Sequence, residues 1–300
     1  MPLYRWDLDK SYIETDFESV RGLIRAATES PEQKKTVPGA PSLMRALAQQ
    51  ENSDISVLSG SPEQLRSRIL SRFQLDNIPI SSLLLKDSVR RIKHRQFRDI
   101  RGQIGFKLQA LLRSRLDWPN DEFEVCFGDD VELDALIYLI YSMCLSKEID
   151  QGQLVKFMKS ARAYDNDIKN AVTAYQNLPK CSSVSFIFIR VTYRKNISEL
   201  RRLSSRVIPV HSWSQASFVL HNSNKLSLDN VRDVLLTAKE DSPWLIANLV
   251  QDLVRMSVVD ESYIESWPLA KEHFFPLPGP NVSPPELDFN SIMRLAKDWH

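Results

Sequence analysis

The sequence predicts an α/β protein built on a mostly parallel sheet with helices on both faces. Short apolar strand-like runs alternate with helically spaced segments up to about residue 220, the pattern of strand–helix–strand units. Glycine occurs 8 times in 300 residues, where average usage gives roughly twenty, so collagen-like, glycine-rich and many-hairpin folds are excluded. Hydrophobic residues at 43% and charged residues at 26% suffice to bury a core and cover it.

The elements follow in order. Residues 3–8 (Leu-Tyr-Arg-Trp-Asp-Leu) read as a buried strand. Residues 15–27 carry helical spacing at Phe17, Val20, Leu23, Ile24 and Ala27. A polar loop then leads through Val37-Pro38-Gly39-Ala40-Pro41 into a helix over 42–50. Residues 55–58 form a second strand, stopped by Ser59-Gly60-Ser61-Pro62. Ser61 suits an N-cap and Pro62 a first helical residue, which predicts a helix to about residue 73. A strongly basic stretch at 86–101 precedes a helical pattern over 102–115. Residues 123–127 (Phe-Glu-Val-Cys-Phe) are a third strand, followed by Gly128-Asp129-Asp130 and a helix over 133–145. Residues 151–177 are polar and helical, 185–191 a very apolar fourth strand, and 207–211 a short fifth. Beyond about 225 the pattern is helical, with a proline-rich break at 276–285. The expected organisation is a core over 1–222, with a helical insertion at about 147–180, and a helical extension over 223–300 packed on it.

Several function classes fall away. Neither G-x-G-x-x-G nor G-x-x-x-x-G-K-[ST] is present, so neither backbone phosphate cradle is available. Lys+Arg at 39 against Asp+Glu at 38 gives no bulk charge for generic nucleic-acid binding. Three scattered cysteines and five histidines supply no disulfide framework or helical zinc motif. The apolar run 135–145 is about half a membrane span, and the N-terminus carries no apolar signal core. These features predict a cytoplasmic protein without a transmembrane segment.

In a parallel α/β sheet, ligands bind outside the carboxyl ends of the strands. The first strand delivers Asp7-Leu8-Asp9-Lys10-Ser11. On a strand, residues i and i+2 point the same way, so both carboxylates can face one site, one attacking as nucleophile and the other working as general acid and base. Their charge calls for a hard cation such as Mg2+. The second strand delivers Ser59 and Gly60, a hydroxyl and free backbone N–H groups suited to a phosphate. The third delivers Asp129 and Asp130, with Asp134 just beyond; either of the last two also fits a helix cap. Lys107 lies on the intervening helix, and a single lysine is by itself most often solvated surface. Asp165-Asn166-Asp167 is a second D-x-D and reads as solvated surface.

Taken in order, carboxylate pair, serine, lysine and acidic cluster resemble the haloacid dehalogenase superfamily, whose first motif D-x-D-x-[TS] is matched by Asp7, Asp9 and Ser11. Most similar is the catalytic domain of the actin-patch-protein-type phosphatidate phosphatases. Pro38-Gly39, Ser59-Gly60-Ser61-Pro62, Lys107, the stretch from Phe123 through Gly128-Asp129 and Asp134 to Tyr138, and Ile187-Phe188-Ile189-Arg190 stand where that domain has its motifs. The resemblance covers about residues 3–220 and implies a Rossmann-like sheet with a minimal cap. It implies Asp7 as the phosphoryl acceptor and Asp9 as acid and base. Ser59, Gly60 and Lys107 would bind the phosphoryl group, and Asp7, the Asp9 carbonyl, Asp129 and Asp130 would hold Mg2+, with Ser11 and Asp134 supporting. Val131 and Asp130 depart from the family's G-D-S-G pattern, and Ala135 replaces its proline.

The expected activity is a Mg2+-dependent phosphomonoester phosphatase acting on a phosphorylated substrate, with phosphatidate at a membrane surface as one form. Rival readings are a phosphotransferase or nucleic-acid-end phosphatase on the same core, and a phosphatase-like interaction protein that does not turn over. The basic run 90–98 reads either as a contact to an anionic membrane or as a solvated helix face. Arg190 reads equally as a substrate contact or as the partner of an acid.

Overall fold

A computed structural model describes residues 2–14, 35–86, 100–118, 123–131, 133–192, 197–275 and 286–298. The expected helix at 15–27, the basic run 90–98 and the proline-rich break at 276–285 lie outside the described residues.

Six parallel strands form one sheet, β1 (Leu3–Asp7), β2 (Asp54–Pro62), β3 (Ser82–Lys86), β4 (Glu124–Asp129), β5 (Phe186–Arg190) and β6 (Val207–Val210), in the order 3-2-1-4-5-6. β1 is therefore central, and strand order reverses between β1 and β4, the switch point at which such sheets take ligands. The predicted α/β class with a parallel, two-face-covered sheet is the fold of the described residues.

One face of the sheet is covered by α1 (Ala40–Ala48) and α2 (Arg66–Leu75), and the other by α3 (Ile100–Arg115), α4 (Asp134–Leu145), α5 (Gln151–Ser160), α6 (Asp165–Asn177) and α7 (Ile197–Leu203). After β6 the chain returns to the first face with α8 (Trp213–Asn222), α9 (Leu228–Ala238) and α10 (Pro243–Arg255), and α11 (Phe289–Asp298) lies on the second. The strand period of two makes the faces chemically unlike. Tyr4, Trp6 and Leu8 enter the first core, with Val57, Phe127 and Phe188 from neighbouring strands. Trp6 stacks on Phe127 at 4.0 Å and meets Trp213 edge-on at 5.3 Å, geometry that suits aromatic quadrupoles. Between them, on the opposite face, β1 presents Arg5 and Asp7.

Several boundaries differ from expectation. β2 runs on through Ser59-Gly60-Ser61-Pro62, and a 3-10 turn, Glu63–Leu65, precedes α2. Ser61 is thus no N-cap: it sits in an irregular strand end where the β2–β3 register shifts, and its N–H donates to Ser59 Oγ at 2.9 Å. β3 has no counterpart in the sequence reading, because Leu83-Leu84-Leu85 lacks the alternation that marks a strand. The polar region 151–177 is two helices, broken by a left-handed Arg162 at φ 56. Asp150 caps the first of them in a reciprocal box with Gln153, and α6 then packs along α3.

Candidate active site

β1 ends at Asp7, and the chain turns at once. Tyr12 and Ile13 N–H groups return to the Leu8 carbonyl at 3.0 and 2.9 Å, and Lys10 sits left-handed at φ 60. Asp9 therefore lies in the turn beyond the strand, and the i, i+2 strand geometry expected for Asp7 and Asp9 does not extend to it. A different contact holds it: Asp9 Oδ2 accepts from Ser59 Oγ at 3.1 Å and from Ser61 Oγ at 3.4 Å. The turn itself is anchored from the aromatic face, where the Trp213 indole N–H donates to the Ser11 carbonyl at 2.8 Å. Ser11 is wholly buried, and its Oγ finds no hydrogen-bond partner among the described residues.

Asp7 faces α3 and α4. Lys107 on α3 is fully buried rather than solvated, and its Nζ donates to Asp7 Oδ1 at 2.7 Å and to Asp134 Oδ1 at 2.6 Å. Asp129, at the end of β4, completes a buried carboxylate group in which one oxygen each of Asp7, Asp129 and Asp134 lies within 4.8 Å of the others. Its Oδ1 accepts from Val131 N–H at 2.6 Å, and its own N–H reaches Asp134 Oδ2 at 3.4 Å. This approach requires Gly128: a Cβ there would stand 2.6 Å from Asp134 Cβ and 2.9 Å from Tyr138 Cε2. Tyr138 lies under the group, and burial first, then the Asp134 and Asp7 charges, hold its hydroxyl well above the usual phenol range.

Asp130 turns elsewhere. Its Oδ1 accepts from the Thr192 N–H at 2.8 Å and hydroxyl at 2.7 Å, fastening the exit of β5. The third acid beside Asp7 and Asp129 is Asp134. Arg190, paired in register with Asp129, donates to the Lys10 carbonyl at 2.9 Å. Burial lowers its pKa against the pull of Glu14, Asp129, Asp130 and Glu240. Asp165 and Asp167 lie in the first turn of α6, outside this group. A groove of about 950 Å3 beside β3, lined by Leu84, Phe106, Asp167 and Asn170 among others, includes none of Asp7, Asp9, Asp129, Asp130 and Asp134.

The donor set fits a hard divalent cation. Three buried carboxylates cluster with the buried Lys107 ammonium, a concentration of negative charge that a bound cation would offset. All-oxygen donors match Mg2+ chemistry. Asp7, Asp129 and Asp134 are the residues that can hold it.

A second polar layer lies beneath and was not foreseen. Arg5 Nε pairs with Glu124 at the start of β4. Arg5 Nη1 donates to Ser114 Oγ on α3 at 2.8 Å and to Ser56 Oγ at 3.4 Å, and Nη2 reaches Tyr141 OH at 3.2 Å. Tyr141 OH donates to Glu124 Oε1 at 2.8 Å, and Arg115 Nε lies 3.4 Å from Glu124 Oε2. The visible signal was a charged residue inside each of two apolar strands.

Fold and site together define a class: a Rossmann-like α/β domain with its acids and lysine at the switch point of the sheet. More narrowly, residues 7–151 match the family model of the phosphatidate phosphatase APP1 catalytic domain, and over that segment the chain is similar to that family. No curated protein and no solved structure matches the chain. No helix among the described residues is long and apolar enough to cross a membrane.

Proposed function

We propose that the protein is a Mg2+-dependent phosphomonoester phosphatase that works through an aspartyl-phosphate on Asp7, with phosphatidate as its substrate. The observation that carries this reading is Lys107, buried between Asp7 and Asp134 beside Asp129. A carboxylate nucleophile approaching a phosphate dianion is repelled unless fixed positive charge stands next to it. The substrate assignment rests on the family matched by residues 7–151.

In this reading, a carboxylate oxygen of Asp7 attacks phosphorus as the bond to the leaving alkoxide breaks. Asp9, positioned by Ser59 and Ser61, gives its proton to that alkoxide. Asp9 then takes a proton from water, whose oxygen attacks phosphorus and frees Asp7 with release of inorganic phosphate. Ser59 and Lys107 orient and neutralise the transferring group, and phosphoryl transfer depends mainly on such positioning and charge. Mg2+, held by Asp7, Asp129 and Asp134, would supply further electrostatic stabilisation of that charge. Asp130 supports the site indirectly through Thr192.

The test is phosphate release with and without Mg2+ from phosphatidate vesicles, nucleotides, and 5′- and 3′-phosphorylated oligonucleotides. Mg2+-dependent release from phosphatidate, lost in Asp7→Asn, is expected. Release only from oligonucleotides would replace the substrate assignment, and full activity of Asp7→Asn would overturn the mechanism.

A further inference from the structure

We propose that the Arg5–Glu124–Tyr141 layer is a positioning device that sets where α3 and α4 stand along the sheet, so that Lys107 and Asp134 meet at Asp7. In its kinetic consequence this rests on the phosphatase reading above. The two layers are built from the same elements. Above, β1 contributes Asp7, α3 Lys107 and α4 Asp134. Below, β1 contributes Arg5, α3 Ser114 and Arg115, and α4 Tyr141, with Glu124 from β4. Arg5 stands two residues before Asp7, about 7 Å along the strand and on the same face. Tyr141 stands seven residues after Asp134, and Ser114 seven after Lys107, each two turns or about 10 Å along its helix. Both helices are thus tied to the same strand at two heights.

Apolar packing alone leaves that height weakly determined. Ile104, Leu108, Leu111 and Leu112 on α3 meet Leu136, Ile140 and Cys144 on α4 in one continuous core, and hydrophobic contact is non-directional. The lower layer consists of hydrogen bonds with defined donors and acceptors, each with Arg5 as an ionised donor or Glu124 as an ionised acceptor. Stability is a weak reason for its presence, since a buried ion pair is often replaceable by apolar groups of similar size at no net loss. Its arrangement fixes the height at which Lys107 on α3 and Asp134 on α4 present their charged ends to Asp7, where the ammonium lies 2.6 and 2.7 Å from the two carboxylates.

Tyr141→Phe removes the hydroxyl that ties α4 to the Arg5–Glu124 pair and leaves charge and nearly all of the volume unchanged. Tyr175→Phe, which removes a hydroxyl bonded to the Ile149 carbonyl at 2.9 Å outside both layers, is the control for lost stability. Both variants are compared with the intact chain for melting temperature, for kcat and KM on phosphatidate vesicles, and for the 15Nζ resonance of Lys107, assigned by its loss in Lys107→Met. Tyr141→Phe is expected to lower kcat by about tenfold with little change in KM and to shift the Lys107 resonance, while Tyr175→Phe changes neither. Equal losses of melting temperature with unchanged kcat and unchanged resonance would overturn the proposal. If the wild-type protein releases no phosphate, the phosphatase reading fails and the resonance alone decides: a shift in Tyr141→Phe sustains the positioning role and none refutes it. Should Tyr141→Phe fail to fold, Ser114→Ala carries the same test by removing the Arg5–α3 hydrogen bond, together with a local bond from Ser114 to the Leu111 carbonyl of the same helix.

Discussion

The two faces of β1 use adjacent residues for opposite purposes. Tyr4, Trp6 and Leu8 bury aromatic and aliphatic surface against α1 and α8–α10. Arg5 and Asp7, interleaved with them, bury charge against α3 and α4. The first face gains free energy for every area of apolar surface removed from water. The second loses solvation and recovers it only through exact pairing of donors and acceptors. Function is therefore placed unevenly in this fold: the aromatic face holds the strand still, and the polar face carries the acids and the lysine on which the proposed phosphatase reading depends.

Variants on each face should separate these duties. Trp6→Ala removes a fully buried indole stacked on Phe127 and should cost about 3–5 kcal/mol in urea denaturation, with activity per folded molecule retained when assayed below the transition. Lys107→Met on the polar face should lower phosphate release by about 10²–10³-fold, and its melting temperature should climb more steeply with added Mg2+ than that of the wild type. A variant whose losses crossed over, Trp6→Ala inactive while folded or Lys107→Met fully active, would break the comparison.

Smaller effects sharpen it. Gly128→Ala pushes Asp134 and Tyr138 away from the end of β4 and should destabilise by about 1–3 kcal/mol, with a parallel loss of Mg2+ affinity by calorimetry. Tyr12→Phe removes the hydroxyl that donates to Asp76, on the aromatic side of the first-motif turn. A loss of about 1.5 kcal/mol is expected there, with Mg2+ affinity unchanged.

The sequence displayed the aromatic face and the upper polar layer unequally. The strands around Trp6, Phe127 and Phe188 were legible because apolar runs bounded by turn residues survive without knowledge of their neighbours. Asp7, Asp9, Ser59, Lys107 and Asp129 were legible as an ordered set of motifs. Arg5 and Glu124 were visible as letters but not as a pair, because their meeting depends on the register of β1 with β4 and on where Tyr141 falls on α4. Ser61 looked like a helix cap because its local chemistry fits one. Its N–H instead bonds Ser59 in the irregular strand end, and its hydroxyl bonds Asp9, in a turn 52 residues earlier. Likewise Asp130 matched a metal ligand by position, while its orientation toward Thr192 depends on the path of β5.

The central claim is that Asp7 receives the phosphoryl group. Borohydride trapping of acid-quenched turnover mixtures, followed by peptide mapping, tests it most directly. Residue 7 is expected to be reduced in the wild-type protein only when substrate and Mg2+ are both present. Trapping at another residue, or steady phosphate release with residue 7 untouched, would contradict it.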